Sequence, residues 1–157
     1  LKANAQAVTS AWSSAVSGSW DEGAKWSSGT PLAGTNALFN ASGNYTVDYT
    51  NPVNYKIGAL IITNTTGNTT TLNINTNGFT FIGGKIYRAT MNINPGGVVT
   101  NAAQFEAMAN DSSTTKVIMN GGRFVNAANI GYSSYFNVTI NSGEMYATSS
   151  FFSPILR

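Results

Sequence analysis

The sequence predicts an all-β fold, a parallel β-solenoid in which about five to six short coils stack on one another. Three observations favour this fold class. Asn, Thr, Ser and Gly contribute 71 of the 157 residues, whereas charged residues make up only 9%. After residue 30, short apolar alternations are separated by clusters of these small polar residues, which is typical of strands and turns. One pattern also recurs at a nearly regular interval.

The recurring pattern is apolar, any residue, apolar, Asn, followed by one or two small residues and Gly. Its Asn positions lie 19, 26 and 21 residues apart, an average of 22. A period of this size indicates a repeat architecture, because each copy is too short to bury its own apolar face and must stack on its neighbours. The four copies are Leu72–Gly78, Met91–Gly97, Val117–Gly122 and Val138–Gly143.

Stacking of the copies predicts which side chains meet. Coils joined by backbone hydrogen bonds lie about 4.8 Å apart, so equivalent residues stack directly. Asn tolerates left-handed backbone, and its amide can bond the amide of the next coil. We therefore expect a corner ladder of Asn75, Asn94, Asn120 and Asn141. The residues predicted to face inward are Leu72, Ile74, Met91, Ile93, Val117, Met119, Val138 and Ile140.

A weaker fifth copy is predicted at Tyr45–Asp48, which would align Asp48 with Asn75, 27 residues later. An ordinary antiparallel sandwich whose hairpins resemble one another is the alternative to the solenoid.

The elements follow in chain order. Residues 1–30 are predicted to form an N-terminal arm and cap, and residues 31–157 the solenoid domain. Apolar residues at helical spacing predict a short helix over residues 5–16, although its Ser-rich composition is a weak helix former. Residues 104–109 are predicted to form a helical turn. The predicted strands are Tyr45–Tyr49, Ala59–Ile62, Thr71–Ile74, Phe79–Phe81, Thr90–Ile93, Val98–Val99, Lys116–Met119, Arg123–Val125, Phe136–Ile140 and Met145–Tyr146.

The composition points away from most enzyme classes. The chain has no Cys and no His, so it lacks a thiolate nucleophile, a disulfide, the commonest general base and the commonest metal ligand. Its net charge of +2 is too small to indicate nucleic-acid binding. The sequence contains no apolar stretch of the length that spans a membrane. We expect no catalytic residues, no metal site and no cofactor.

The acidic residues offer two further interpretations. Asp21 and Glu22, between Trp20 and Trp26, could bind a sugar or Ca²⁺ or act as an acid and base. The favoured interpretation is a turn, with the tryptophans covering the open end of the core. A polysaccharide lyase would need clustered acids beside a base, but Asp48, Glu106, Asp111 and Glu144 are scattered along the chain.

The chain resembles a family of secreted proteins. Ser19-Trp20, Lys25–Pro31, Asn36–Phe39 and Tyr45–Asp48, together with the Asn120-Gly121-Gly122 turn, are similar to the opening and the turns of secreted bacterial β-helix proteins of the autotransporter-associated and PEP-CTERM type. The resemblance implies a right-handed parallel β-helix on or outside the cell, with a structural or adhesive role. It implies no catalytic motif.

We therefore expect a non-catalytic extracellular protein, secreted or on the cell surface, that self-assembles into a filament or surface layer. The partners expected are further copies of the chain and no nucleic acid. The alternative is a carbohydrate-binding module of a larger secreted polysaccharide-acting protein, with Tyr132, Tyr135 and Tyr146 stacking on sugars. The candidate residues for self-assembly are Trp12, Trp20, Trp26, Phe151, Phe152, Ile155 and Leu156.

Overall fold

The structure is a computed structural model that describes residues 7–65, 67–103, 105–108, 115–127, 130–132, 136–147 and 155–156. These residues form short strands and a single 3-10 turn at Gly23–Lys25. The strands are β1 (Thr9–Ala11), β2 (Gly18–Ser19), β3 (Asn36–Phe39), β4 (Tyr45–Tyr49), β5 (Tyr55–Lys56), β6 (Leu60–Thr63), β7 (Thr70–Ile74), β8 (Phe79–Phe81), β9 (Gly84–Tyr87), β10 (Ala89–Ile93), β11 (Val98–Asn101), β12 (Phe105–Met108), β13 (Thr115–Asn126), β14 (Ile130–Tyr132), β15 (Phe136–Ala147) and β16 (Ile155–Leu156).

The strands lie in three parallel rows. The first row runs β1, β3, β6, β9, β12 and β14. The second runs β2, β4, β7 and β10, then the first halves of β13 and β15, and ends at β16. The third runs β5, β8, β11 and the second halves of β13 and β15. From β3 onward, five successive coils each take one strand or strand half from every row, which confirms a parallel solenoid of about five turns and not an antiparallel sandwich.

The alternation of residues decides which side chains form the core. In β4, β7 and β10 every second residue is buried, as period-2 geometry requires. Seven of the eight residues predicted to face inward are buried, and Ile140 is the exception with 42% of its surface exposed. Ile140 does face inward, in register with the buried Met119, but among the described residues β16 pairs only with Asn137 and Val138 and does not cover it.

The two predicted helical segments are wrong. Residues 9–11 form β1, which pairs with β3, and residues 105–108 form β12, which pairs with β9 and β14. The first segment is Ser-rich and a weak helix former, and the second is too short to nucleate a helix, so inter-strand hydrogen bonds decide both. Tyr45–Asp48 does lie in a coil, but its register differs from the prediction by two residues, since Asp48 stacks on Asn73 and not on Asn75.

Glycines permit the close approach of successive coils between the second and third rows. A Cβ on Gly122 would lie 2.6 Å from the carbonyl oxygen of Asn94 and 2.7 Å from that of Gly97. Gly143, directly above in the next coil, has a φ of +103°, a conformation that favours glycine. The Gly in each copy of the repeat therefore serves the stacking of coils as well as the turn.

Candidate functional site at the two ends of the solenoid

Three tryptophans close the N-terminal end of the core. The Trp26 ring lies between those of Trp12 and Trp20, with centroid distances of 5.1 and 4.9 Å in edge-to-face geometry. Phe39 packs against all three, and Trp20 also stacks on Phe79 at 5.2 Å. The three indoles are buried, so they belong to the core and present no surface to a second molecule.

Backbone pairing holds this end together and covers its outer strand. Trp12 and Trp26 form an antiparallel bridge, in which Ser27 N–H donates to the Ala11 carbonyl at 2.8 Å and Ser13 N–H donates to that of Lys25 at 2.7 Å. The Trp26 indole N–H donates to the Trp20 carbonyl at 2.8 Å. The chain thus folds back over its own first strand. We call residues 9–27 the tryptophan cap.

The acidic pair of the cap stabilises a turn. Glu22 accepts a hydrogen bond from the Ser19 N–H at 2.6 Å and forms an ion pair with Lys25 at 3.0 Å. The Ser19 hydrogen bond, followed by the contact with Lys25, lowers the pKa of Glu22. Asp21 accepts instead from the Asn51 side chain at 2.8 Å. The two carboxylates have separate local partners and do not converge on one site.

The four asparagines predicted to form a corner ladder are in direct contact. Asn94 Nδ2 donates to Asn75 Oδ1 at 2.7 Å, and Asn120 Nδ2 donates to Asn94 Oδ1 at 3.1 Å. Asn141 Nδ2 donates in turn to Asn120 Oδ1 at 2.8 Å. All three bonds are donated toward the N-terminal end, so the ladder has a direction along the solenoid axis.

Sequence reasoning missed a second ladder. Asn92 Nδ2 donates to Asn73 Oδ1 at 2.8 Å, and Asn73 Nδ2 donates to Asp48 Oδ1 at 2.7 Å. The sequence does contain a pattern that indicates this ladder, because Asn73 and Asn92 stand two residues before the corner asparagines in adjacent copies of the repeat. A third pair, Asn101 to Asn126 at 2.7 Å, is buried.

The C-terminal end differs from the capped end. Strand β15 pairs along one edge with β13, but on its other edge it pairs only at Asn137 and Val138, with β16. Within the described part of the chain, residues 139–147 have no strand on that side. We call this edge, residues 139–147, the open edge. Ile140 and Tyr146 on it are 42% and 45% exposed.

The open edge carries a single charged side chain. Glu144 lies 3.7 Å from the Arg123 Nε and accepts a hydrogen bond from the Tyr146 hydroxyl at 3.2 Å. The Arg123 guanidinium in turn lies 4.5 Å from the centroid of the Tyr146 ring. Edge strands that avoid pairing usually carry charges or proline, and this edge has little of either.

The other predicted contact residues have varied positions. Ile155 and Leu156 form β16, in register with Asn137 and Val138. Tyr132 is the last residue of β14. Phe151, Phe152 and Tyr135 lie outside the described residues. Of the three tyrosines proposed to contact glycans, the structure therefore places only Tyr146 as an exposed side chain.

A shallow open groove runs across the stacked turns beside the open edge. Its volume is about 310 Å³, and its floor consists of glycine backbone from three successive coils. Arg123 and Glu144 form its polar wall. The residues that line the groove are Gly96, Gly97, Val98, Gly121, Gly122, Arg123, Gly143 and Glu144.

The described residues contain neither a cluster of metal ligands nor a helix that could span a membrane. Among them no group of three or more acidic side chains is placed to hold a metal ion. In the same part of the chain, no helix combines the length and the apolar content needed to cross a bilayer. No protein-family model, no curated protein and no solved structure matches this chain.

Proposed function

We propose that this protein is a non-catalytic structural or adhesive solenoid that acts outside the cell or on its surface and associates with copies of itself. The observation that carries the proposal is the difference between the two ends among the described residues: the tryptophan cap covers one end, whereas no described strand pairs with the open edge at the other. The extracellular location rests on the resemblance to secreted bacterial β-helix proteins.

An unpaired strand edge is a template for pairing with another chain. Each inner strand of this solenoid bonds a neighbour on both sides, as β10 does with β7 and β13. In the part of the chain that the structure describes, residues 139–147 have such a neighbour on one side only, and Ile140 is exposed where its counterparts Met119 and Ile93 are buried. Covering this end would therefore satisfy backbone groups and bury apolar surface together.

Sedimentation velocity over a range of concentrations, with negative-stain images of the same samples, tests the proposal. We expect a concentration-dependent increase in mass, and Ile140→Lys should abolish it by placing a charge on the open edge. Ile82→Lys is the matched control, because Ile82 is also exposed but follows β8 on the side of the solenoid. A wild-type protein that stays monomeric at all concentrations, with no fibres or layers, would contradict self-association.

Carbohydrate binding is the second candidate. It is favoured by the groove, in which backbone polar groups and the Arg123 and Glu144 side chains lie beside the exposed Tyr146 ring. Aromatic rings and convergent polar groups are features of ligand sites. On a glycan array, Tyr146→Ala should remove any specific binding.

Tyr87→Ala is the matched control on the array. The Arg88 guanidinium lies 4.7 Å from the centroid of the Tyr87 ring, as Arg123 lies near Tyr146, but Tyr87 is in β9 of the first row, away from the groove. Specific binding that Tyr146→Ala removes and Tyr87→Ala retains would favour the second candidate. An array without specific binding would count against it.

A further inference from the structure

We propose that Asn77 is a site of spontaneous covalent modification: its side-chain amide is lost by deamidation in the folded protein, and the resulting carboxylate loosens the β4–β5 loop, residues 50–54. This reaction does not depend on self-association. The chain has two Asn-Gly dipeptides, Asn77-Gly78 and Asn120-Gly121. Because glycine has no Cβ to shield its backbone nitrogen, that nitrogen can approach the side chain of a preceding asparagine closely.

The reaction needs only this chain and water. The backbone nitrogen of Gly78 loses its proton and attacks Cγ of Asn77, so that a bond forms between these two atoms. The bond between Cγ and Nδ2 breaks, and the departing amide takes up a proton and leaves as ammonia. Water then opens the cyclic imide at one of its two carbonyls. The product is aspartate or isoaspartate, whose backbone is one methylene longer, and no oxidant or reductant takes part.

The fold leaves the Asn77 side chain accessible and keeps glycine behind it. Asn77 lies between β7 and β8, and its side chain is exposed. Among the described residues its amide makes one hydrogen bond, donated by Nδ2 to the Pro52 carbonyl at 2.5 Å. Gly78 has a φ of +75°, and a Cβ there would collide with the Val98 carbonyl. The turn therefore requires glycine at this position, which preserves the reactive dipeptide.

The corner ladder protects the second dipeptide. Asn120 is half-buried and lies within the continuous strand β13. Its Nδ2 donates to Asn94 at 3.1 Å and its Oδ1 accepts from Asn141 at 2.8 Å, so both polar atoms of the amide are held. Moving its Cγ toward the nitrogen of Gly121 would break two hydrogen bonds and leave both neighbouring amides unsatisfied. The same dipeptide therefore reacts at one corner and is stable at the other.

Modification of Asn77 would weaken the attachment of the β4–β5 loop. The loop accepts two hydrogen bonds from this corner, one from the Thr76 hydroxyl to the Asn51 carbonyl at 2.9 Å and one from the Asn77 amide to Pro52. A carboxylate has no proton to donate to the Pro52 carbonyl, so this bond is lost. The Asn51 side chain also donates to Asp21 at 2.8 Å, so the loop connects the corner to the tryptophan cap.

Peptide mapping by mass spectrometry, after incubation of the folded protein at mildly alkaline pH, tests the assignment. Trypsin isolates Asn120 in the peptide of residues 117–123, and fragmentation of the peptide of residues 57–85 locates Asn77. The reference is the same protein in urea, where neither the turn nor the ladder forms. We expect similar rates at the two sites in urea. In the folded protein Asn77 should react at least about fivefold faster than Asn120, which must break an additional hydrogen bond.

Asn94→Ala tests the protection directly, because it removes the acceptor of the Asn120 amide. Deamidation of Asn120 should then accelerate several-fold, while the rate at Asn77 stays unchanged. Equal acceleration at both sites would indicate general unfolding and overturn the inference. Equal rates at the two sites in the folded wild-type protein, or no reaction at Asn77 while the unfolded protein reacts, would overturn it as well.

The consequence for the loop has its own test. Asn77→Asp carries the aspartate product from the start, and Asn77→Gln is its matched control, because glutamine keeps an amide that can donate to the Pro52 carbonyl. Amides of the β4–β5 loop should exchange with solvent faster in Asn77→Asp than in Asn77→Gln or the wild type. Equal exchange in all three proteins would contradict the loosening of the loop.

Discussion

At the scale of single residues, the asparagine amides give the solenoid its most regular side-chain contacts. Asn94 donates to Asn75 and accepts from Asn120, so both polar atoms of its amide are used for stacking. A partly buried amide that lost these partners would leave neighbouring polar atoms unsatisfied, which costs more than the net contribution of the bonds themselves.

We therefore predict that Asn94→Ala lowers the free energy of unfolding by about 1–3 kcal/mol, because it breaks two hydrogen bonds and leaves the Asn75 and Asn120 amides without their partner. Urea denaturation followed by circular dichroism would measure the change. Asn141→Ala is the matched control, since it removes one exposed bond at the end of the same ladder and should cost less. Equal losses in the two variants would contradict the role assigned to the inner amides.

The buried Tyr49 side chain makes the free energy of unfolding depend on pH in the alkaline range. Its ring is buried against Trp20 and Phe79, and its hydroxyl donates to the Val53 carbonyl. Burial, followed by the nearby Tyr55, raises the pKa of Tyr49 above its ordinary value, and burial also raises the pKa of Tyr45. The neutral phenol is therefore favoured in the folded state.

Because the folded-state pKa of Tyr49 lies above the unfolded value near 10, its contribution is complete below about pH 10 and is lost as the pH rises further. We predict that the free energy of unfolding falls progressively as the pH rises above about 10, as measured by urea denaturation. Tyr49→Phe should be less stable at neutral pH but show a shallower alkaline decline. A decline of the same slope in both proteins would contradict the assignment to Tyr49.

At the scale of elements, the turn between the second and third rows limits which residues the repeat can use. Gly122→Ala would place a Cβ 2.5 Å from the Ile93 side chain and close to two carbonyl oxygens of the preceding coil. We predict a loss of about 1–3 kcal/mol, as is typical of overpacking. Thermal unfolding of this variant beside Gly23→Ala, whose Cβ would have only ordinary contacts, would test it. Similar melting temperatures would indicate that the coils can separate without cost.

How well the sequence predicts a strand depends on the row of the solenoid in which the strand lies. Second-row strands such as β7 and β10 precede the repeated Asn and alternate cleanly, so the sequence predicts them well. Several first-row strands, such as Gly84–Tyr87, are short and irregular and acquire their strand character from parallel neighbours one coil away, although Leu60–Thr63 in the same row alternates cleanly and is predicted. Local pattern carries no information about those neighbours, and for that reason residues 9–11 and 105–108 were predicted incorrectly.

The candidate site was predictable to a different extent at each end. The corner asparagines followed from the period alone, because residues that repeat at the coil length must stack. Whether a tryptophan covers its own core or contacts another molecule depends on the bridge between Trp12 and Trp26, a pairing that no periodicity reveals. The exposure of Ile140 likewise depends on β16 pairing with only two residues of β15.

At the scale of the whole molecule, the solenoid has a direction. Its parallel strands and its Asn ladder all run the same way, one end is covered by the tryptophan cap, and the other presents a strand of low charge. Half-buried polar residues such as Thr71, Asn73 and Thr90 face outward along its sides. The proposed self-association would therefore use the end that carries the open edge.

Amide hydrogen exchange at a low and a high protein concentration tests this claim most directly, because it reports which backbone groups gain partners. We predict that amides of residues 139–147 exchange rapidly when the protein is dilute and become protected when it is concentrated. The amides of β7 and β10 should be protected equally in both samples. Protection of residues 139–147 that does not change with concentration, or a change confined to the tryptophan cap, would contradict association through the open edge.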